Sequence, residues 1–227
     1  MTGIIAAMPC EAERLMERMT EKKEPRVFCG VPFYEGKIGR EETALAVCGV
    51  GKVFAASCAA AMIAAYRPDR IINTGVAGAL SPSLRCLDTV VASRLVQHDM
   101  DTSPLGDPVG MISGINKIYF ETDGALSRAL ADAIRGAGGR AVSGTVATGD
   151  RFIASPEEKE RIRALFSADA AEMEGGAIAQ VCYVNGVPFA AIRTISDSGD
   201  GDAPENFGAF CERAAEISAA AVAACLA

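Results

Sequence analysis

The sequence contains few aromatic residues and a single histidine. Aromatic residues make up 6% of the 227 residues, and tryptophan is absent. The core must therefore be built from Ala, Val, Ile, Leu and Met. His98 is the only histidine, which argues against a zinc site made of histidines. Asp99 and Asp101 follow it, but three polar residues in a turn more often form a local hydrogen-bond network, so we expect no metal ion there.

Positive charge and long apolar runs are also scarce. The chain has 22 Lys and Arg against 29 Asp and Glu, for a net charge of −7. No basic patch is visible, which argues against a nucleic-acid partner. No run of 18 apolar residues occurs, so we expect no membrane span. The short apolar run from Gly3 to Met8 has no basic region before it, so we expect no signal peptide.

The cysteine pattern favours a reducing compartment. None of the eight cysteines forms a Cys-x-x-Cys pair, and most lie in apolar runs. Such residues are typical of small core side chains in a cytosolic protein. We therefore predict a cytoplasmic location.

The predicted elements alternate between strands and helices along the whole chain. A length of 227 residues suits one α/β domain, and no linker-like stretch divides the sequence. We predict a single domain over residues 1–227. It is expected to be a three-layer αβα sandwich around a central mixed, mostly parallel sheet. Val76 to Ala79 is predicted as a loop, and Gln97 to Gly114 as the longest irregular segment.

Several polar groups follow predicted strands directly. They lie in Met8 to Glu11, Gly75 to Gly78, Glu172 to Glu174, and Ser196 with Asp197. In sheets of this kind, ligands bind at the carboxyl ends of the strands. We therefore expect these groups and Arg193 to share one cleft. The alternative is that the acids are solvated independently at separate strand ends.

Glu172 and Glu174 are the least expected of these acids, because the segment around them is apolar. Burying an unpaired carboxylate costs several kcal/mol. A ligand with several hydroxyl groups would explain the pair, since a carboxylate accepts two hydroxyl hydrogen bonds. The alternative is a pair that caps the next helix through its N-terminal dipole. Phe152 and Ile153 lie in a polar loop and are candidates for a ligand platform.

Six motifs in the correct order resemble those of the 5′-methylthioadenosine/S-adenosylhomocysteine nucleosidases, which belong to the nucleoside phosphorylase/hydrolase superfamily. The similarity covers nearly the whole chain. The motifs are Gly3 to Glu11, Cys48 to Lys52, Ile72 to Gly78, Gly149 to Ile153, Glu172 to Glu174, and Arg193 to Asp197. The resemblance implies a nucleoside phosphorylase-like fold, a homodimer, no metal or other cofactor, and release of adenine from a ribose with a 5′-thio substituent.

The resemblance also implies catalytic roles. Glu11 resembles the carboxylate that activates water, and Asp197 resembles the acid that bonds adenine N7. Glu174 resembles the residue that holds the ribose hydroxyls, with Met173 against the sugar. Arg193 is expected close to the water and engaged by Glu174.

The remaining site residues are expected to bind substrate. Phe152 resembles the ring that stacks on adenine, and the Ile153 backbone resembles the group that reads the edge of adenine. Met8, Val50 and Phe207 resemble the apolar lining near the ribose and the 5′ substituent. The expected binding site also includes Ala77, Gly78, Glu172 and Ser196.

Some positions depart from the family pattern. Val76 stands where many members have Ser, which removes one polar contact near the ribose. Pro9 and Cys10 replace a more acidic run. Thr102 to Gly110 differs from the more aromatic loop that contributes to the partner's 5′-substituent pocket in family dimers, so the sequence does not define the 5′ group.

Three other functions remain open from the sequence. A purine nucleoside phosphorylase would need to bind phosphate, but Glu11 would repel an anion and Ile72 to Gly78 contains no Arg. The same residues would also suit another adenosine derivative, such as aminodeoxyfutalosine. A binding or scaffold protein is the non-enzymatic alternative, and the presence of Glu11, Glu174, Arg193 and Asp197 argues against it.

Overall fold

The computed structural model describes residues 1–197 and 203–227, without the side chains of residues 203–209. Ten strands occur in this part of the chain: β1 (Thr2–Ala6), β2 (Arg26–Phe28), β3 (Val31–Ile38), β4 (Glu41–Val47), β5 (Arg70–Ala79), β6 (Thr89–Gln97), β7 (Tyr119–Glu121), β8 (Ala141–Thr148), β9 (Ala170–Glu172) and β10 (Phe189–Asp197). Six α-helices accompany them: α1 (Pro9–Arg18), α2 (Lys52–Tyr66), α3 (Gly124–Gly136), α4 (Pro156–Phe166), α5 (Gly175–Asn185) and α6 (Ala203–Cys225).

The strands form one mixed sheet. Its order is β10-β6-β8-β9-β5-β1-β4-β3-β2, and β7 pairs with β6. Strand β1 is parallel to both β4 and β5, whereas β3 and β2 continue the sheet in antiparallel pairs. The predicted α/β fold with a mixed central sheet is confirmed.

One part of the sheet closes on itself. Strand β5 pairs with β9 on one side and also with β10, so β5, β10, β6, β8 and β9 form a ring. Strands β5 and β10 are parallel, so their carboxyl ends lie side by side, whereas β9 runs antiparallel to β5 and β6 runs antiparallel to β10. The ends of β5, β9 and β10 carry residues of the candidate site, together with the segment after β1.

Helices cover both faces of the sheet. On one face, apolar side chains of α1, α3 and α6 pack with β1 and β10, as in the cluster of Leu15, Leu130, Val222, Ile4 and Ile192. On the other face, α2 and α5 pack together and bury residues such as Met62 and Ile178. Helix α4 covers the ring with Ile162 and Phe166. These layers bury most of the aliphatic side chains, which is the main favourable contribution to folding.

The sequence interpretation was wrong at Val76–Ala79. These residues continue β5 and pair with β10 and β9, rather than forming a loop. Two neighbouring strands satisfy their backbone groups, which compensates for the low strand preference of glycine. The short strand β7 was also missed, because three residues give little periodic signal.

Within the described residues, none of the helices combines the length and apolar character needed to cross a bilayer.

Candidate active site

A cavity of about 490 Å³ lies beside the ring of strands. The loop after β1, the ends of β5, β9 and β10, and the segment between β8 and α4 all contribute to its walls. The structure brings together most of the residues that the sequence analysis singled out. Those that line the cavity are Met8, Glu11, Val50, Ala77, Gly78, Phe152, Ile153, Glu172, Met173, Glu174, Ser196 and Asp197.

One predicted site residue does not line the cavity, and the side chain of another is not described. Arg193 lies behind the cavity wall, where it is 2% exposed. The side chain of Phe207 lies outside the described residues, so its predicted role stays a prediction.

Glu11 is fixed at the start of α1. Pro9 occupies the first turn, where its missing N–H needs no partner. The Glu11 carboxylate turns back and accepts backbone N–H bonds from Ala7 at 2.8 Å, Met8 at 2.9 Å and Val76 at 3.0 Å. Burial raises the pKa of Glu11 above its ordinary value, although Arg193 and these three bonds act in the opposite direction. A buried carboxylate with a raised pKa suits a general base.

Glu172 and Arg193 form a buried ion pair. The distance from Arg193 Nη2 to Glu172 Oε2 is 2.5 Å, and both side chains are 2% exposed. Asn73 accepts a second bond from Nη2 at 2.5 Å. Glu172 also accepts bonds from the Thr148 hydroxyl and from the backbone N–H groups of Glu174 and Gly175.

These partners occupy both carboxylate oxygens of Glu172. Burial alone would raise the pKa of Glu172, but Arg193 and the hydrogen bonds hold it below its ordinary value. Glu172 is therefore well placed to orient Arg193. It also lines the cavity, and its expected substrate contact stays a prediction. Arg193 engages Glu172 closely, whereas Glu174 Oε2 lies 3.8 Å from Nη2. The predicted contact of Arg193 with Glu174 is therefore present, and the shorter contact with Glu172 is additional.

Glu174 is the less constrained member of the acidic pair. Its Oε1 accepts the backbone N–H of Gly51 at 2.9 Å, and the side chain is largely buried at the cavity wall. Burial and the charge of Glu172 raise the pKa of Glu174 to about 7, and Arg193 offsets part of this effect. A carboxylate of this kind retains acceptor capacity for ligand hydroxyl groups.

Asp197 lies at the end of β10, opposite Gly78 of β5. The pairing register shifts between Ile195 and Asp197, which marks a bulge at Ser196. Bulges beside functional sites redirect side chains. A Cβ atom on Gly78 would lie 2.7 Å from Asp197 Oδ1, so glycine leaves the room that this carboxylate fills.

Helix α4 contributes a residue that the sequence analysis missed. Lys159 is 6% exposed and lines the cavity. Its Nζ lies 3.4 Å from Asp197 Oδ2. A signal was present in the sequence, because Lys159 has the helical spacing of the buried residues Ile162 and Phe166. A lysine on the apolar face of a helix indicates a buried partner.

The wall near Asp197 and Lys159 is mainly apolar. Phe152 is 49% exposed and Ile153 is 7% exposed, and both line the cavity beside Leu80. Arg151 lies at the rim and pairs with Glu158 at 2.6 Å. A flat apolar ligand with polar atoms on one edge would fit this end, because a carboxylate and an ammonium meet its edge.

The described residues contain no group of three or more His, Cys, Asp or Glu side chains arranged to hold a metal ion. His98 is buried, and burial lowers its pKa.

Comparison with known proteins places the fold and the cavity in context. The family model of the phosphorylase superfamily matches residues 2–227. The chain is 39% identical over 218 residues to 5′-methylthioadenosine/S-adenosylhomocysteine nucleosidase of Geobacillus kaustophilus, covering 96% of this chain and 92% of the relative. The chain therefore belongs to the phosphorylase superfamily and, within it, to the family of 5′-methylthioadenosine/S-adenosylhomocysteine nucleosidases.

Solved structures are also similar to this chain over nearly its whole length. The nucleosidase of Neisseria meningitidis in complex with methylthio-immucillin-A is 37% identical, with a TM-score of 0.94, covering 99% of this chain and 97% of that chain. A structure described as futalosine hydrolase of Helicobacter pylori is 34% identical, also with a TM-score of 0.94, covering 99% of this chain and 96% of that chain.

Proposed function

We propose that this protein hydrolyses the N-ribosidic bond of 5′-methylthioadenosine and S-adenosylhomocysteine, releasing adenine and the thioribose. The observation that carries the proposal is the meeting of Glu11, Glu174 and Asp197 at one cavity. Relatives with this activity in their names align over nearly the whole chain. The reaction needs a base for water, a stabiliser for the sugar and an acid for the purine, and these three carboxyl groups supply them.

Asp197 is the proposed acid. Departure of adenine leaves negative charge on the purine, and protonation of N7 removes that charge. A carboxyl group at an apolar wall can retain a proton near neutral pH more readily than one in water. The position of Asp197 in a cavity that Ile153 and Phe152 also line supports this role.

Glu11 is the proposed base, and Glu174 the proposed partner of the ribose hydroxyls. Water is a weak nucleophile, so proton transfer to Glu11 accelerates its attack on the anomeric carbon. Glu174 bonded to the hydroxyls stabilises positive charge on the sugar. Acid and base on opposite sides of the scissile bond follow the logic of inverting glycosidases.

The apolar wall supplies the proposed binding contacts. Phe152 stacks on adenine and Ile153 presents its backbone to the purine edge. Met173 packs against the sugar, with Met8 and Val50 near the 5′ substituent. Val50 is 49% exposed at the edge of the cavity, which leaves room for 5′ groups of different size.

Another adenosine derivative, such as aminodeoxyfutalosine, is a second candidate substrate. The similarity to the structure described as futalosine hydrolase of Helicobacter pylori favours keeping it. The bond broken and the carboxyl groups used would be the same, and the 5′ substituent alone would differ. Competition between the two nucleosides for one enzyme preparation compares their kcat/KM values directly.

We also propose that the protein forms a homodimer in the cytoplasm. Free cysteines occur throughout the described chain, as expected in a reducing compartment. Apolar side chains are exposed on the packed pair α2 and α5 and in the segment from Gln97 to Gly114. They are Val53 at 78%, Phe54 at 59%, Tyr183 at 51%, Val184 at 59% and Leu105 at 84% exposed. Grouped exposure of this kind marks a protein interface.

The test of the proposed reaction is release of free adenine from 5′-methylthioadenosine. We expect turnover by the wild type. Asp197→Asn should keep the fold, as judged by circular dichroism, and lose roughly 100-fold or more in kcat, because the amide cannot donate an acidic proton. An Asn variant as active as the wild type would remove Asp197 from the mechanism, and failure of the wild type to release adenine would overturn the function.

A further inference from the structure

The buried lysine of α4 is not used by the reaction described above. Lys159 lies among apolar neighbours of the ring, on the helix face that also carries Ile162 and Phe166. Lysine is almost never fully buried without a partner, because burial of an unpaired ammonium is strongly unfavourable. Its partner here is Asp197, at 3.4 Å between Nζ and Oδ2. A hydrophobic residue would fill this position at lower cost, so the ammonium calls for a functional explanation.

The pair of Lys159 and Asp197 gives the part of the cavity proposed to hold the purine both a hydrogen-bond donor and an acceptor. The carboxyl oxygen that Lys159 contacts accepts hydrogen bonds, whereas an ammonium only donates them. The other cation lining the cavity among the described residues is Arg151, whose guanidinium lies at the rim with 61% of its side chain exposed and is held by Glu158. Lys159 is therefore a buried donor beside Asp197.

Purines differ in the substituent at C6, which lies near N7 on the same edge of the base. A 6-aminopurine presents N7 and an amino donor, whereas a 6-oxopurine presents N7 and a carbonyl acceptor. With Asp197 facing this edge, the amino group meets an acceptor and makes a hydrogen bond. A carbonyl in the same place would face a carboxylate oxygen, and two buried acceptors would oppose each other. A site with a carboxylate alone would consequently reject 6-oxopurines.

We propose that Lys159 is a specificity-determining residue that allows the site to accept 6-oxopurine nucleosides with a 5′-thio substituent as well as the 6-aminopurine ones. The ammonium carries three N–H donors, so it can bond Asp197 Oδ2 and the purine O6 together. This inference rests on the proposed nucleosidase function and extends its substrate class.

The chemistry of the bond cleavage is unchanged. The water oxygen bonds to C1′, the C1′–N9 bond breaks, and its electron pair goes to the purine. The proton lost by water goes to Glu11. Asp197, protonated on one oxygen while the other accepts from Lys159, donates that proton to N7. The product base is hypoxanthine instead of adenine, and Lys159 remains an ammonium throughout.

The experiment compares 5′-methylthioinosine with 5′-methylthioadenosine as substrates. The measured quantity is the ratio of their kcat/KM values for the wild type, Lys159→Met and Lys159→Gln. Methionine keeps the length and apolar stem of lysine but has no donor. Lys117→Met is the matched control, because Lys117 pairs with Glu121 outside the cavity.

We expect the wild type to release hypoxanthine from 5′-methylthioinosine. Lys159→Met should lower the inosine-to-adenosine ratio by about tenfold or more, since O6 then lacks a donor beside the carboxylate. Lys159→Gln, which keeps an N–H donor, should lose less of the ratio than Lys159→Met. Lys117→Met should keep the wild-type ratio.

Three results would overturn the proposal. The first is wild-type cleavage of 5′-methylthioadenosine with no detectable cleavage of 5′-methylthioinosine. The second is a ratio that is unchanged in a Lys159→Met protein that folds. If that variant does not fold, an unchanged ratio in Lys159→Leu, which also lacks a donor, has the same meaning. The third is that neither nucleoside is cleaved by the wild type, which would refute the nucleosidase function and this inference with it.

Discussion

The three glutamates of the cavity differ in ionisation because their partners differ. Glu172 is held as a carboxylate by Arg193, Thr148 and two backbone N–H groups. Glu174 accepts a hydrogen bond from the backbone N–H of Gly51, and its pKa rises to about 7. Glu11 accepts three backbone bonds yet keeps a raised pKa because it is buried. Each carboxyl group is therefore suited to a different task.

The raised pKa of Glu174 predicts a dependence of stability on pH. The folded protein binds this proton more tightly than the unfolded chain, so the associated stability is present below pH 4.5 and is lost as the pH rises through about 7. The loss has an upper limit of about 3 kcal/mol. The Glu174→Gln variant does not lose this stability, because its amide does not ionise. We expect the stability of this variant, relative to the wild type, to increase between pH 5 and pH 8 in urea unfolding.

Glu172→Gln provides the contrasting variant. Its folded pKa is below the ordinary value, so its contribution to stability is present above about pH 4.5 and is lost as the pH falls. Removing this charge leaves Arg193 buried without its main partner, which costs about 3–5 kcal/mol. We expect Glu172→Gln to unfold at lower urea than the wild type at pH 8. The same pH dependence in both variants would contradict the assigned partners.

The sequence predicted which residues gather at the site better than it predicted their contacts. Glu11, Glu174 and Asp197 were identified because polar groups follow buried strands and because of the family resemblance. Glu174 was predicted to engage Arg193, and the structure has that ion pair at 3.8 Å together with an unpredicted, shorter one to Glu172 at 2.5 Å. The strand pattern fixes where a backbone ends, but the side-chain direction depends on Asn73 and Thr148 of other strands, which the local sequence does not reveal.

At the scale of elements, strand β5 makes room for two carboxylates. A Cβ atom on Gly75 would lie 2.5 Å from Glu11 Oε1, and one on Gly78 would lie 2.7 Å from Asp197 Oδ1. Both glycines belong to a paired strand rather than to a flexible loop. Their role is to permit close approach of side chains, which explains why glycine occurs within a strand.

This arrangement predicts that Gly75→Ala impairs catalysis. The new methyl group forces Glu11 to move, so we expect kcat to fall by about tenfold or more, since misplacement of a reacting group by about 1 Å can cost about 100-fold. The measurement is adenine release at saturating substrate.

Gly136→Ala is the control for that experiment. It adds the same methyl group at the end of α3, where nothing lies within 4 Å. We expect this variant to keep wild-type turnover. Equal activity of Gly75→Ala and the wild type would contradict the tight packing of Glu11 against β5.

Local signals predicted the helices well and the strand ends less well. The sequence pattern predicts one helix over Pro156–Phe166, with Ser155 as its cap, and another over Gly175–Asn185. The structure has both helices with these bounds. Val76–Ala79 was predicted as a loop because two of the seven residues from Ile72 to Gly78 are glycines. Pairing with β9 and β10 determines its conformation, and those strands are distant in sequence.

At the scale of the whole molecule, the closure of β5, β10, β6, β8 and β9 into a ring was not predictable from the strand pattern. Strand order depends on contacts between distant segments, and β10 pairs with both β5 and β6. The ring gathers strand ends from distant parts of the chain around one cavity. The architecture therefore determines which residues meet, while the local sequence determines what they can do.

The exposed apolar residues of α2 and α5 predict a dimer. We expect light scattering at micromolar concentration to give twice the mass of one chain. Phe54→Glu should shift the protein toward the monomer, because a charge at an apolar interface is left desolvated. Val27→Glu is the control, since Val27 is 66% exposed on edge strand β2, away from these helices. A wild-type monomer at micromolar concentration would contradict the prediction.

The central claim is that water, rather than phosphate, attacks the sugar. Phosphate carries between one and two negative charges at neutral pH, and placing it near Glu11 and Glu174 would cost a few kcal/mol at an effective dielectric constant of about 20. Arg193 is paired with Glu172, and Lys159 is paired with Asp197, in the part of the cavity proposed to hold the purine. Water needs no cation and fits beside Glu11.

The most direct test is turnover of 5′-methylthioadenosine in phosphate-free buffer, with and without added phosphate, followed by mass analysis of the sugar product. We predict the same rate of adenine release in both conditions and free methylthioribose as the product. Methylthioribose 1-phosphate as the product, or adenine release that occurs only when phosphate is present, would contradict the hydrolytic account and favour a phosphorylase.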